Sequence, residues 1–292
     1  MAGPAAEVEI PEDLVRSLLH EQHADLATLP LRRLAEGWDN VIWRLGDDLT
    51  VRLPRRQMGA VLVRHEQRWL PELAAGLPLP VPVPVRMGVP GCGYPWPWSV
   101  CPWLPGVEIE HAPPADWGHA ARQLGGFLAA VHRPAPADAP PNPYRGVPLT
   151  ERTVRFVAGI DELESAFDRG ALMAAWDRAV DAPVWDRPPV WLHGDVHPLN
   201  VLVDRGRISA VIDFGDVTSG DPASDLAVAW MLFRPEERRT FRAACGTQEP
   251  VDAALWARAR GWALALGVAL ANGNERTRHI GHRTLRAALE GA

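Results

Sequence analysis

Between Trp191 and Ala227 the chain crowds His193, Asp195, His197, Asn200, Asp213, Asp216, Asp221 and Asp225 among apolar runs, in WLHGDVHPLNVLVDRGRISAVIDFGDVTSGDPASDLA. Buried carboxylates are costly unless they are paired, hydrogen-bonded or set against a cation. A fold that contains this segment must bring partners to it, using short elements. Val190–His193 reads as a strand, and NVLV and SAVID read as a hairpin turning across Asp204-Arg205-Gly206. The strand, the loop bearing Asp195 and Asn200, and the hairpin returning Asp213 would aim those three side chains at one point.

The chain changes character near residue 104. Before it, residues 11–27 read as a helix and Val41–Pro54 as a hairpin turning at Gly46-Asp47-Asp48. Gly59–Leu70 has helical spacing that continues to Leu73, with a kink or new turn expected at Pro71. The Pro-, Gly- and Trp-dense stretch from Gly76 to Gly106 excludes a central helix, and Val81–Val89 and Trp98–Trp103 read as strands leading to a crossover at Leu104–Gly106. Beyond lie a helix over 114–133 capped by Asp116, a Pro-rich loop over 134–150, two helical patterns in 151–182, and helices at 222–233, 235–245, 250–272 and 275–290. The expectation is an α+β chain: a strand-rich unit over 1–104 and a mainly helical unit over 105–292, with a ligand in the cleft between them.

Composition removes several alternatives. A net charge of −6 over 292 residues argues against nucleic acid as a partner. Three scattered cysteines give neither a disulfide framework nor a zinc site. The N-terminal stretch lacks the pattern of a signal peptide, and the longest apolar run, Gly261–Ala271, is too short to span a bilayer, so a cytoplasmic protein without membrane contact is expected. All 30 residues in the Lys+Arg count are Arg, so no mechanism here can use a lysine.

The triad at the segment's centre suits phosphoryl transfer. That chemistry needs a carboxylate to orient and deprotonate an attacking hydroxyl, and hard oxygen ligands for Mg²⁺. In HGDVHPLN and IDFG, Asp195 fits the first role and Asn200 with Asp213 the second. At these residues the sequence resembles the aminoglycoside phosphotransferases, within the protein-kinase-like superfamily; Gly194 stands where protein kinases have Arg. The resemblance implies a bilobal kinase fold, with a small antiparallel-sheet N-lobe and a larger helical C-lobe. It implies Asp195 as catalytic base, Asn200 and Asp213 as magnesium ligands, and His193 and Asp225 as braces of the catalytic loop. His197 is expected to be a loop residue without a catalytic role.

Such an enzyme uses ATP or GTP as co-substrate with Mg²⁺. A kinase strand lysine paired with a helix glutamate is expected here as Arg52 in TVRLP with Glu66 in RHEQR. Gly37 and Asn40 mark a phosphate-covering turn, and Ser99 and Cys101 the strand that meets the base, with Cys101 as the main contact because Pro102 has no N–H. The acceptor is expected to be a small hydroxylated molecule: an aminoglycoside or other antibiotic first, a sugar-like metabolite second. Asp161, Glu164, Asp168, Asp216 and Glu275 are candidate contacts to a cationic acceptor. Two other classes compete. One is a nucleotide-binding pseudokinase, since Arg52 replaces the usual lysine. The other is a metal-dependent hydrolase, since His193, Asp195, His197 and Asp213 include an H-x-D-x-H pattern. Oligomeric state is not legible.

Overall fold

A computed structural model describes residues 5–163, 166–246 and 253–290. Helix α1 (Glu12–Gln22) buries Val15, Leu18 and Leu19. It stops short of the expected residue 27, because the Leu26 N–H bonds to His23 O and the Leu29 N–H to Leu26 O in tight turns that run into Pro30. Strands β1 (Leu31–Glu36), β2 (Asn40–Leu45) and β3 (Leu49–Pro54) follow, then helix α2 (Gln57–Ala74). Along β2, Val41, Trp43 and Leu45 alternate inward and pack with Val51, Leu53 and the α1 leucines. Helix α2 runs through Pro71 unbroken. Only three helical residues follow that proline, and Trp69, Leu70 and Leu73 anchor the end of the helix in the core of the second lobe.

Strands β4 (Arg86–Gly88) and β5 (Trp98–Pro102) complete a five-stranded antiparallel sheet in the order β1-β2-β3-β5-β4. The strand expected over Val81–Val89 shrinks to β4. Pro80, Pro82 and Pro84 remove every second N–H that a ladder would need.

The second lobe is mostly helical. A short strand β6 (Val107–Glu108) precedes α3 (Trp117–Val131), whose first turn is capped by Asp116 Oδ1 accepting from the His119 N–H at 2.9 Å. Helices α4 (Thr153–Glu162) and α5 (Arg169–Val180) lead to β7 (Val190–Leu192). The hairpin β8 (Val201–Asp204) and β9 (Arg207–Val211) turns at Arg205 and Gly206, at φ 49° and 77°, the positive-φ pair of a tight two-residue turn. Strand β6 pairs with β8, and β10 (Thr218–Gly220) pairs with β7. The sequence pattern had shown neither partner, because two or three residues carry no periodicity.

The helix expected over 222–233 is two, α6 (Ala223–Leu226) and α7 (Val228–Leu232), ahead of α8 (Pro235–Cys245). Helix α9 (Ala253–Ala271) is mostly apolar and largely buried, packing on α4, α5, α6, α7 and α10 (Glu275–Leu289). Among the described residues no helix is long and apolar enough to cross a membrane. The whole is an α+β, bilobal kinase-like fold with a small antiparallel sheet over a helical lobe.

Candidate active site

Strand β7 delivers the chain into a turn that Asp225, from α6, holds from behind. Its Oδ2 accepts from the His193 N–H and its Oδ1 from the Gly194 N–H, both at 2.9 Å, and His132 Nε2 lies 3.1 Å from Oδ2. Those donors keep the buried Asp225 carboxyl below its usual range, outweighing the burial that pushes it up. Gly194 has φ +89°, and a Cβ there would sit 2.1 Å from Asp216 O, so no side chain fits. His193 is fully enclosed: Nδ1 accepts from the Asp195 N–H at 3.2 Å, and Nε2 donates to Ile212 O at 3.0 Å. With both nitrogens occupied it cannot ligate a metal. Among the described residues no three His, Cys, Asp or Glu are grouped to hold one.

Asp195 sits between a guanidinium and an imidazole. Arg145 Nη2 donates to Oδ1 at 2.8 Å, and His197 Nε2 lies 3.3 Å from Oδ2. Burial opposes its charge, but the His197 ring and the Arg145 guanidinium together hold the carboxyl far below the ordinary range. His197 thus does more than fill a loop. Its Nδ1 also accepts from the Leu199 N–H at 3.2 Å, and Asp195 pulls its pKa up against burial. Asn200 Nδ2 donates to Asp195 O at 2.9 Å, leaving its amide oxygen for another partner. Asp213, at φ 67°, has a half-exposed carboxylate whose Oδ1 is 3.6 Å from Arg52 Nη2.

Arg52, on β3, is buried and donates through Nη1 to Glu66 Oε1 of α2 at 2.9 Å. Burial disfavours its charge, but Glu66 and Asp213 more than compensate and keep it firmly protonated. Two cavities meet at this point. One, of about 390 Å³, lies between Ile42, Thr50, Pro102, Leu104, Leu202 and Ile212. The other, of about 530 Å³, opens over Asp195, His197 and Asp216. Arg52, Asp213 and Ile42 line both.

Ser99 and Cys101, the expected contacts to the base, lie off the smaller cavity. The Trp103 N–H donates to Asp48 O beside β3, whereas Val100 O accepts from the Val85 N–H on the opposite side. Main-chain direction alternates along a strand, so the groups of Cys101 lie toward β3 and those of Pro102 away from it. Ser99 instead accepts from Gln67 Nε2 at 3.1 Å, and burial pushes the Cys101 thiol up to about 12.

Gly37 and Asn40 line the larger cavity at the β1–β2 turn, closed by the Gly37 N–H on Asn40 O at 2.8 Å. Of the expected acceptor contacts, only Asp216 reaches the larger cavity, and it accepts from Asn142 Nδ2 at 2.8 Å. Asp161 is paired with Arg169 at 3.0 Å, Asp168 caps α5 through the Gly170 N–H at 2.7 Å, and Glu275 is exposed outside the lining. Glu164 lies outside the described residues. Arg145 and Asn142 were missed because they come from the Pro-rich loop, where no pattern signals a role. Asn272, Asn274 and Thr277, at the α9–α10 corner of the cavity, were likewise missed.

Comparison with known proteins agrees with this geometry. Residues 30–262 match the model of the phosphotransferase enzyme family, which spans most of the chain. The chain belongs to the phosphotransferase enzyme family. The fold of this phosphotransferase is that of the GDP complex of an aminoglycoside 2'-phosphotransferase, with TM-score 0.73, 19% identity, and coverage of 96% of this chain and 99% of that one. The macrolide 2'-phosphotransferase MphH from Brachybacterium faecium shares it with TM-score 0.64, 24% identity, and coverage of 97% and 99%. A sequence relative, the uncharacterized protein YcbJ of Bacillus subtilis (strain 168), is 26% identical over 132 residues. That match spans 44% of the phosphotransferase described here and 42% of the relative.

Proposed function

We propose that this phosphotransferase moves the terminal phosphoryl group of ATP or GTP to a hydroxyl of a small acceptor, with the lobes meeting near residue 104 and the reaction in the cleft between them. One observation carries the reading: a half-buried, anionic Asp195 faces a cavity that joins a base-sized cavity at Arg52 and Asp213. The base would occupy the smaller cavity against Pro102 and Leu104, the phosphates the junction, and the acceptor the larger cavity.

Arg52, fixed by Glu66, neutralises phosphate charge in place of a lysine. Its planar fork is held to Glu66 through Nη1, leaving Nη2 toward Asp213 at the junction. The β1–β2 turn with Gly37 and Asn40 covers the phosphates. Asn200 and Asp213 fit Mg²⁺, since an amide oxygen and a single carboxylate are the hard, sparsely charged donors that the ion accepts beside phosphate. Bound there, the ion would neutralise charge on the transferring group.

Asp195 accepts a hydrogen bond from the acceptor hydroxyl and aims its oxygen at the phosphorus. With its pKa held so low by Arg145 and His197, it takes the proton only late, as the new O–P bond makes that proton acidic. Arg145 and His197 touch one carboxylate oxygen each and set its orientation. The enzymes that share this fold act, by their names, on an aminoglycoside and a macrolide, and the acceptor here is taken to be a hydroxylated small molecule of comparable size.

The test is Asp195→Ala. Phosphoryl transfer should slow by ~10²–10⁴-fold while Mg²⁺-nucleotide affinity stays near that of the wild type. Turnover close to wild type would remove Asp195 from the reaction.

A further inference from the structure

We infer that the acceptor is amphipathic: it brings a hydroxyl to Asp195 and lays an apolar face of its own against helix α9. This rests on the phosphotransferase reading and narrows its acceptor. Two kinds of surface line the larger cavity. Loops supply the polar part, with Asp195, His197, Arg145 and Asp216. Helix α9 supplies the other through Leu266, Ala269 and Leu270, which share one helical face at i, i+3 and i+4. Leu266 and Leu270 are half-buried, and Ala269 is exposed. A helix face left open to water ordinarily carries charged or polar side chains. Here an apolar stripe is left open, and it opens on the cavity that holds Asp195.

The polar groups beside the stripe already serve the fold. The Thr277 hydroxyl donates to Leu270 O at 3.1 Å, and Asn272 Nδ2 donates to Gly159 O at 2.7 Å. Asn274 Oδ1 caps α10 by accepting from the Thr277 N–H at 3.2 Å. A ligand on this side therefore meets chiefly apolar surface. The sheet lobe adds an aromatic ring to the same cavity. Trp38, at the β1–β2 turn, lines it and is 57% exposed, the one exposed tryptophan among the described residues. Its turn is held in place. Asp39 is paired with Arg56, and α2 backs so closely on the turn that a Cβ on Gly59 would sit 2.8 Å from Asp39 O. A held indole presents a large apolar face to a bound molecule at little cost in ordering. A purely polar polyol would leave both the stripe and the indole wet, whereas an acceptor with an apolar face would cover them.

The experiment uses two probes on one sugar ring, methyl β-glucoside and hexyl β-glucoside, titrated calorimetrically into the full chain loaded with Mg²⁺ and a non-hydrolysable nucleotide analogue. The hexyl glucoside should bind at least ~10-fold more tightly, with a more negative heat-capacity change, the mark of apolar burial. Ala269→Glu sets a charge into the stripe at an exposed position where folding is not at risk, and it should shrink that preference several-fold. Trp38→Ala should shrink it as well. Equal affinity for the two probes or undetectable binding of both overturns the inference. So does a preference that survives both substitutions, because the hexyl chain then lies on some other surface. The phosphotransferase reading fails by a different sign, a nucleotide turnover that is indifferent to Asp195→Ala.

Discussion

Arg258–Asp221 in the helical lobe and Arg52–Glu66 beneath the sheet are both buried arginine–carboxylate pairs, but they are finished differently. In the first, Arg258 Nε donates to Asp221 Oδ2 at 2.7 Å, Nη2 to Oδ1 at 3.4 Å, and Nη1 to Pro183 O, while Oδ1 also accepts from the Ala223 N–H at 3.0 Å. Every guanidinium nitrogen has a protein partner. In the second, Nη1 reaches Glu66, Nη2 stops 3.6 Å from Asp213, and Nε has no hydrogen-bond partner. A buried donor left open is costly unless something arrives to fill it. The closed pair is structural, and the open pair is the one proposed to meet the nucleotide phosphates.

The largest effect should come from breaking the closed pair. Arg258→Ala leaves Asp221 buried without its counter-charge, and removing one partner of such a pair costs ~3–5 kcal/mol. Denaturant unfolding should show that loss, while the nucleotide affinity of the folded variant stays unchanged. A parallel fall in nucleotide affinity would erase the distinction between the two pairs.

The open pair should answer in the opposite currency. Arg52→Ala and Glu66→Ala should each raise the nucleotide KM or lower turnover, and the double variant should be less than additive, with a coupling of ~0.5–3 kcal/mol. Arg52→Lys should retain appreciable activity, since a point charge still reaches phosphate without the planar fork. Additive effects would mean that Glu66 does not hold Arg52 for the phosphates. Arg44 is no substitute, because its guanidinium lies 3.9 Å above the Trp103 ring and its Nε donates to Gly46 O.

This difference also marks what could be read in advance. The residues 193–213 were legible because polar side chains at fixed spacing between short apolar runs have few uses. Arg52 and Glu66 were legible because a strand and the next helix fixed their facing sides. Arg145 and Asn142 were not. They belong to a Pro-rich loop held by long-range contacts, with the Asp221 N–H on Gly146 O at 3.0 Å and Thr218 Oγ1 on Pro140 O at 2.7 Å. No local period encodes such contacts. That Cys101 lies off the smaller cavity was hidden for a related reason: which residues of β5 face it depends on which edge of the strand is paired, and that is a property of the sheet. In the acidic run at 160–168, Asp161 and Asp168 are satisfied locally, on Arg169 and at the start of α5.

The smallest expected effect concerns a third kind of closure, a carboxylate satisfied without any guanidinium. Asp225 is held by two main-chain N–H groups and His132. Its pKa is depressed in the folded protein, so it stabilises the fold above the unfolded carboxyl pKa, ~3.9. That contribution is lost as pH falls through the lower folded value, because the unfolded chain binds the proton first. A single group of this kind tilts stability by at most ~1.4 kcal/mol per pH unit. Asp225→Asn should therefore flatten the decline in unfolding free energy below pH ~4, and it should disturb turnover through the His193–Gly194 turn that it supports. Arg258→Ala should lower stability across the pH range and leave that limb in place. Denaturant titrations of both variants at several acidic pH values separate the two. An acid limb in Asp225→Asn with the wild-type slope would show that the turn is held by something other than the ionised carboxylate.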